Sequence, residues 1–216
     1  MNGVIGGCGA DAKPFTISFW FFPRPNLDPV IAVGYYCGWD GVSYTTAGAI
    51  YNQNQNYAGA QYLHFRAGHA TIYARTALGN AGTAHAWNHL VCTYDGGTNE
   101  GGNNTCLIYL NGSDATSVAA AGSDTAVAFE GRLTLGAGPF NAWYPWAGDM
   151  SDFAIWDKEL SSAEVTEIYN SAARYNLSTA TCAANLAIWT PLGMTGWNMF
   201  GQDTKEKIYA ITGSLV

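Results

Sequence analysis

Bond-breaking chemistry has few side chains to draw on in this sequence. Retaining hydrolysis of a glycosidic bond needs two carboxylates about 5–5.5 Å apart with a third tuning them, which on one strand reads E-x-D-x-x-E or a close variant. No such run occurs. Asp149 and Asp152 are three residues apart, so on a regular strand they point to opposite faces. Asp157 and Glu159 fall at a corner, and Glu130 has no acidic neighbour. The nucleophile elbow G-x-S-x-G and the zinc-protease signature H-E-x-x-H are both missing. The histidines, His64, His69, His85 and His89, pair with no cysteine in a recognisable signature. The reading is that of a protein that is not an enzyme.

Recognition chemistry is better supplied. Sugars stack on exposed Trp and Tyr, which offer a flat apolar face with polar edges. Two loops are rich in such rings: FNAWYPW at 140–146, with Trp143, Tyr144 and Trp146, and the stretch around Trp39 and Tyr44. Loops carried on a rigid scaffold are where binding concentrates, so these five residues are the expected binding surface, the first loop preferred. A subunit contact would use the same residue types. Hard oxygen ligands for calcium occur at Asp40, Asp95, Asn99, Glu100, Asn103 and Asp114. They form no loop signature, so no metal and no cofactor are assigned. The triplets at Asn103, Asn111 and Asn176 match the N-glycosylation pattern but read more simply as turn residues.

Bulk composition narrows the partners. The chain has 216 residues, 48% hydrophobic, 14% aromatic and only 12% charged, with 26 glycines. Low charge with many Gly, Tyr and Trp favours short strands joined by turns. Nine scattered basic residues and a net charge of −7 oppose nucleic-acid binding, which needs a clustered basic surface. No apolar run approaches the roughly 20 residues of a membrane helix. MNGVIGGCGADAKPF at the start lacks the basic region and apolar core of a secretory signal. Five cysteines, an odd number, fit no zinc or disulfide framework and are expected to be buried thiols.

The elements that would position these loops are legible in outline. Phe15, Ile17, Phe19 and Phe21 alternate in a strong strand that ends near Pro23. A second strand is expected at 30–36, then a polar aromatic loop at 37–48 and short strands at 49–51, 62–65 and 71–75. Leu90, Cys92 and Tyr94 share one face of the next strand, and Cys106, Ile108 and Leu110 share one face of its partner. Cys92 and Cys106 lie equidistant from a loop centre near residue 99, so they are expected to stand opposite or nearly so. Asn111-Gly112 supplies a positive-φ turn. Strands at 116–119 and 132–135 follow. Met150, Phe153, Ile155 and Trp156 make a dense apolar strand, and after the corner Ser161 and Glu164 form a capping box for a short helix with Val165, Ile168 and Tyr169 on its apolar face. A short edge strand at Val4-Ile5 and closing strands at 184–189 and 207–211 complete the set.

Three segments together carry a family resemblance. WAGDMSDFAIWDKELSSAEV, FTISFW and the pair WNHLVCTYD and CLIYLNG resemble, in order, the closing strand and helix, the opening strand and a central hairpin of laminin-G-like jelly rolls. These belong to the concanavalin-A-like lectin and glucanase group. NLAIWTPL at 185–192 resembles the N-terminal strand of many members but follows the helix here, which suggests a permuted order. In the family's W-x-H motif His89 is read as a packing and hydrogen-bonding residue.

The resemblance implies one domain over 1–216, an all-β, two-sheet antiparallel β-sandwich of jelly-roll type with one short peripheral α-helix, its closing strands supplied by 184–213. The function expected first is a structural surface module, such as an accessory or head-decoration protein of a virus-like particle. It would be made without a signal peptide, act on a virion or another outward-facing surface, and contact a protein shell or copies of itself. The alternative is a lectin-like module that binds glycans. A glycoside hydrolase comes last.

Overall fold

In the computed structural model the described residues are 13–23, 33–40, 47–54, 61–67, 72–96, 106–120, 133–136, 146, 148–171 and 176–190. They form two antiparallel six-stranded sheets packed as a β-sandwich. In chain order the strands are β1 (Phe15–Pro23), β2 (Val33–Asp40), β3 (Ala47–Asn54), β4 (Gln61–Arg66), β5 (Tyr73–Thr76), β6 (Asn88–Tyr94), β7 (Cys106–Leu110), β8 (Ser113–Asp114), β9 (Thr116–Ala120), β10 (Leu133–Leu135), β11 (Gly148–Trp156) and β12 (Leu186–Thr190), with the helix α1 (Ser162–Asn170) after β11. The first sheet runs β12-β11-β1-β6-β7-β8 and the second β10-β2-β3-β4-β5-β9.

The core follows from period-two alternation on β1. Phe15, Ile17, Phe19 and Phe21 are fully buried between the sheets, joined by Leu90, Cys92 and Tyr94 of β6 and by Ile50, Leu63 and Phe65 of the second sheet. The opposite face of β1 is covered as well. Val165 and Ile168 of α1 pack with Ala154 and Trp156 of β11 in a second apolar cluster. The capping box forms as expected: Ser161 Oγ accepts from the Glu164 N–H and the Glu164 carboxylate accepts from the Ser161 N–H. Tyr169 stacks on Trp20 at 5.8 Å.

Two bulges set the register of β11 and β12. Met150 and Phe153 both face the core although they are three apart, because Trp20 pairs with Ser151 while Ser18 pairs with Ala154. The extra residue, Asp152, takes φ 51°, and its carboxylate accepts from Ser151 Oγ at 2.7 Å. β12 pairs with Phe153–Trp156 and slips once between Ile155 and Trp156. Leu186 therefore joins Trp189 on the helix side, whereas Ile188 packs against the main core. Period two alone would put Leu186 and Ile188 on one face. The expected strands at Val4-Ile5 and 207–211, and Leu192, lie outside the described residues.

On the central hairpin Cys92 pairs with Ile108 and Cys106 with Tyr94. The two cysteines are thus offset by two positions instead of directly opposed, and Cys37, Cys92, Cys106 and Cys182 are all buried and outside any disulfide. Asn111 and Gly112 both have positive φ in the turn that follows. β2 and β3 extend through residues expected to be loop, so Trp39 stands on a strand with its backbone paired to Gly48 and Leu133.

Candidate functional site

The face of the second sheet turned away from the core is unusually aromatic, with Tyr51 and Tyr62 buried on it. On β4 the core residues Leu63 and Phe65 alternate with Tyr62, His64 and Arg66, all on the outward side. Register places Tyr51 of β3 on one side of His64 and Arg75 of β5 on the other, while Arg66 lies between Ala49 and Tyr73. His64 is therefore the centre of a small lattice: Tyr62 and Arg66 along its own strand, Tyr51 and Arg75 across the ladder, and Tyr73 on the diagonal.

The rings are in contact. His64 lies 4.7 Å from the Tyr51 centroid, 5.0 Å from Tyr73 and 6.1 Å from Tyr62. Its Nδ1 is 2.9 Å from the Tyr51 hydroxyl. Tyr62 donates its hydroxyl to Gln53 Oε1 at 2.8 Å, and the Arg75 guanidinium sits 5.7 Å from the centres of both Tyr62 and Tyr73. Two polar atoms on this face remain unanswered: His64 Nε2 and Arg66 Nε are buried with no hydrogen-bond partner. Such atoms are costly unless something supplies the missing bond. Burial first, then the charges of Arg66 and Arg75, push the His64 pKa down to about 3, so the ring is neutral at physiological pH. A neutral imidazole, phenolic hydroxyls, a Gln amide and flat aromatic faces are the groups that hydrogen-bond and stack with a polyhydroxylated ring.

His89 also has a buried ring nitrogen without a partner, its Nδ1, but it is placed differently. It lies under α1 on the other sheet, with Nε2 2.9 Å from Ser18 Oγ and its ring 4.9 Å from Trp20. Burial pushes its pKa down to about 3 too. It is the packing and hydrogen-bonding residue expected of the W-x-H motif. Trp87, in the same motif, is 42% exposed and leans edge-on against Phe22 at 5.7 Å.

The five residues expected to form the binding surface are placed differently. Trp146 is corrected: it is only 5% exposed and packs on Tyr36 at 4.3 Å and Phe21 at 6.0 Å, which leaves it no free face for a ligand. The cause is Gly148, where a Cβ would come within 2.7 Å of the Trp146 ring, so only glycine lets the indole lie against β11. The Trp146 backbone N–H donates to the Gly136 carbonyl at 2.9 Å. Trp143, Tyr144 and Tyr44 lie outside the described residues, and the side chain of Trp39 is not among those described.

The His64 face was missed because QYLHFR and YART read simply as a hairpin. A signal was present: the residues alternating with Leu63, Phe65 and Ala74 are Tyr, His and Arg, where an idle solvent face favours Ser, Thr or Lys. Among the described residues no three His, Cys, Asp or Glu side chains gather as a metal site. Asp114 instead accepts from the Thr116 N–H at 2.9 Å, a turn role. Asn99, Glu100 and Asn103 lie outside the described residues.

Comparison with known proteins gives the lineage. No curated protein sequence matches the chain. Among solved structures, a Bacteroides ovatus protein described as a candidate carbohydrate-binding protein is similar with a TM-score of 0.55 at 15% identity, over 90% of this chain and 50% of that one. The chain thus spans half the length of that protein. A heptameric SAP-like pentraxin from Limulus polyphemus is similar with a TM-score of 0.51 at 16% identity, over 83% of this chain and 79% of that one. Tailspike protein 2 of an Escherichia coli O157:H7 bacteriophage gives 0.55 at 14% identity, over 83% of this chain and 24% of that one. At these identities the likeness is one of fold. The sequence match is more specific: residues 8–166, most of the chain, fit the laminin-G-type family described as the concanavalin A-like lectin/glucanases superfamily. With both sheets, the closing strand and the capped helix in place, the chain belongs to the concanavalin A-like lectin and glucanase superfamily.

Proposed function

We propose that this chain is a non-catalytic carbohydrate-binding module whose ligand lies across the outward face of β3, β4 and β5. The observation that carries the reading is the lattice around His64: three tyrosines in contact with a neutral imidazole whose Nε2 is buried and without a partner. A sugar hydroxyl supplies the missing bond, and the apolar face of a pyranose stacks on an aromatic ring. Family membership and the likeness to a Bacteroides ovatus protein described as a carbohydrate-binding candidate support the same class. Of the described carboxylates, Asp152 belongs to a bulge and Glu164 to the helix cap.

Decoration of a virus-like particle, on an outward-facing surface, is compatible with glycan binding. It has no described surface feature of its own in its favour, so the carbohydrate reading stands ahead of it.

Glycan-array profiling of the purified chain beside Tyr73→Ala tests the reading. Tyr73 is half-buried and its loss leaves the core intact. The parent should retain a defined set of glycans, and the variant should bind that set about tenfold more weakly, the scale of one lost aromatic contact. Equal binding by a folded Tyr73→Ala, or no glycan bound by the parent, would remove this face from the account.

A further inference from the structure

Among the described residues neither Arg66 nor Arg75 has a carboxylate partner; the ion pair there joins Lys158 to Glu164, at the base of the helix. No described carboxylate side chain shares this face. In a chain of net charge −7 with nine basic residues, two guanidiniums within two ladder positions of each other and without a described carboxylate beside them are a local reversal of sign. Arg75 is held by the Tyr62 and Tyr73 rings, and Arg66 pairs across the ladder with Tyr73, its Nε buried and unanswered. Arginine that is pre-oriented and unpaired is suited to a planar, two-oxygen anion.

Resting on the carbohydrate reading above, we infer that the ligand is an acidic saccharide, its carboxylate or sulfate held between Arg66 and Arg75 while its ring stacks on Tyr73. The neutral His64 fits this division of labour, because it donates or accepts one hydrogen bond without adding a third charge. Arg66 supplies Nε–H to one anion oxygen. Arg75, capped by two tyrosines, presents its guanidinium edge to the other. The remaining hydroxyls fall to Tyr51 and Gln53 along the lattice.

The test is an array of matched pairs: sialylated, uronate-bearing and sulfated glycans beside the same glycans methyl-esterified or desulfated. The intact chain is probed with Arg66→Gln and Arg75→Gln, whose folding is checked by circular dichroism. The acidic member of at least one pair should bind at least tenfold more tightly than its neutral form. Each variant should shrink that ratio several-fold, weakening the acidic form more than the neutral form, and added salt should weaken the acidic form more than the neutral one. Carboxylate and sulfate pairs tell the two anions apart. If acidic and neutral forms bind equally, or either folded variant keeps the full ratio, the acidic-ligand inference fails while the carbohydrate reading stands. If no glycan binds, both fail. Should an oligothymidylate of equal charge bind better than every acidic glycan, the ligand is nucleic acid and the inference is overturned.

Discussion

Lowering the pH from about 7.5 to about 5 is expected to remove about 4 kcal/mol of folding stability, a large part of what a domain of this size holds. His64 and His89 are the cause. Both are held neutral in the fold with pKa values pushed down to about 3, chiefly by burial, whereas in the unfolded chain each titrates near 6.5. Below that value the unfolded state binds the extra protons. Stability is therefore complete above about pH 6.5 and is lost as the pH falls toward 3, at about 1.4 kcal/mol per unit for each histidine. Glu159 acts in the opposite sense, since burial, then Asp95, raises its pKa, but it begins only nearer the carboxylate range. Urea unfolding at the two pH values measures the loss, and His89→Gln should reduce it by about half. A midpoint unchanged down to pH 5 would mean that the histidines accept protons in the folded state.

Phe153→Ala is expected to cost about 3–5 kcal/mol. The ring is fully buried on β11, stacked 6.2 Å from Phe19, and bordered by the bulge at Asp152 that aims it inward. Neighbours fixed on β1 and in the second sheet cannot collapse far into the space it leaves, so the cavity term adds to the lost transfer energy. Equilibrium unfolding of the variant gives the number directly. A loss under about 1 kcal/mol would show that β11 does not lie between β1 and β12 in the core.

Phe153 also marks how far the sequence could be read. β1, β6, β7 and the capped helix announce themselves, because period two and the capping box are local patterns with one solution. Burial of Phe153, Ile155 and Ile168 follows from the same patterns and is found. The bulges are different. Met150 and Phe153 are three apart, and the spacing itself implies one extra residue; Asp152, able to adopt positive φ, is the one that absorbs it. Nothing local announces the slip in β12, where pairing with β11 decides the face of Leu186. The same limit governs the site. Trp146 sits in an aromatic run that looks like a loop, yet its fate depends on Tyr36 and Phe21, more than a hundred residues away in sequence. Tyr51, His64, Arg66, Tyr73 and Arg75 come from three strands, and only the ladder register of β3, β4 and β5 brings them together.

The central claim is that a saccharide occupies the face around His64, and the most direct measurement is NMR of the histidine rings during titration with a glycan retained on the array. His64 has an unanswered Nε2 on that face, while His89 is sealed beneath α1 on the other sheet and serves as an internal reference. The account predicts that the His64 ring signals, with those of Tyr51 and Tyr73, shift and saturate together as the glycan is added, and that His89 does not move. Saturable binding that leaves the His64 ring unchanged would contradict it.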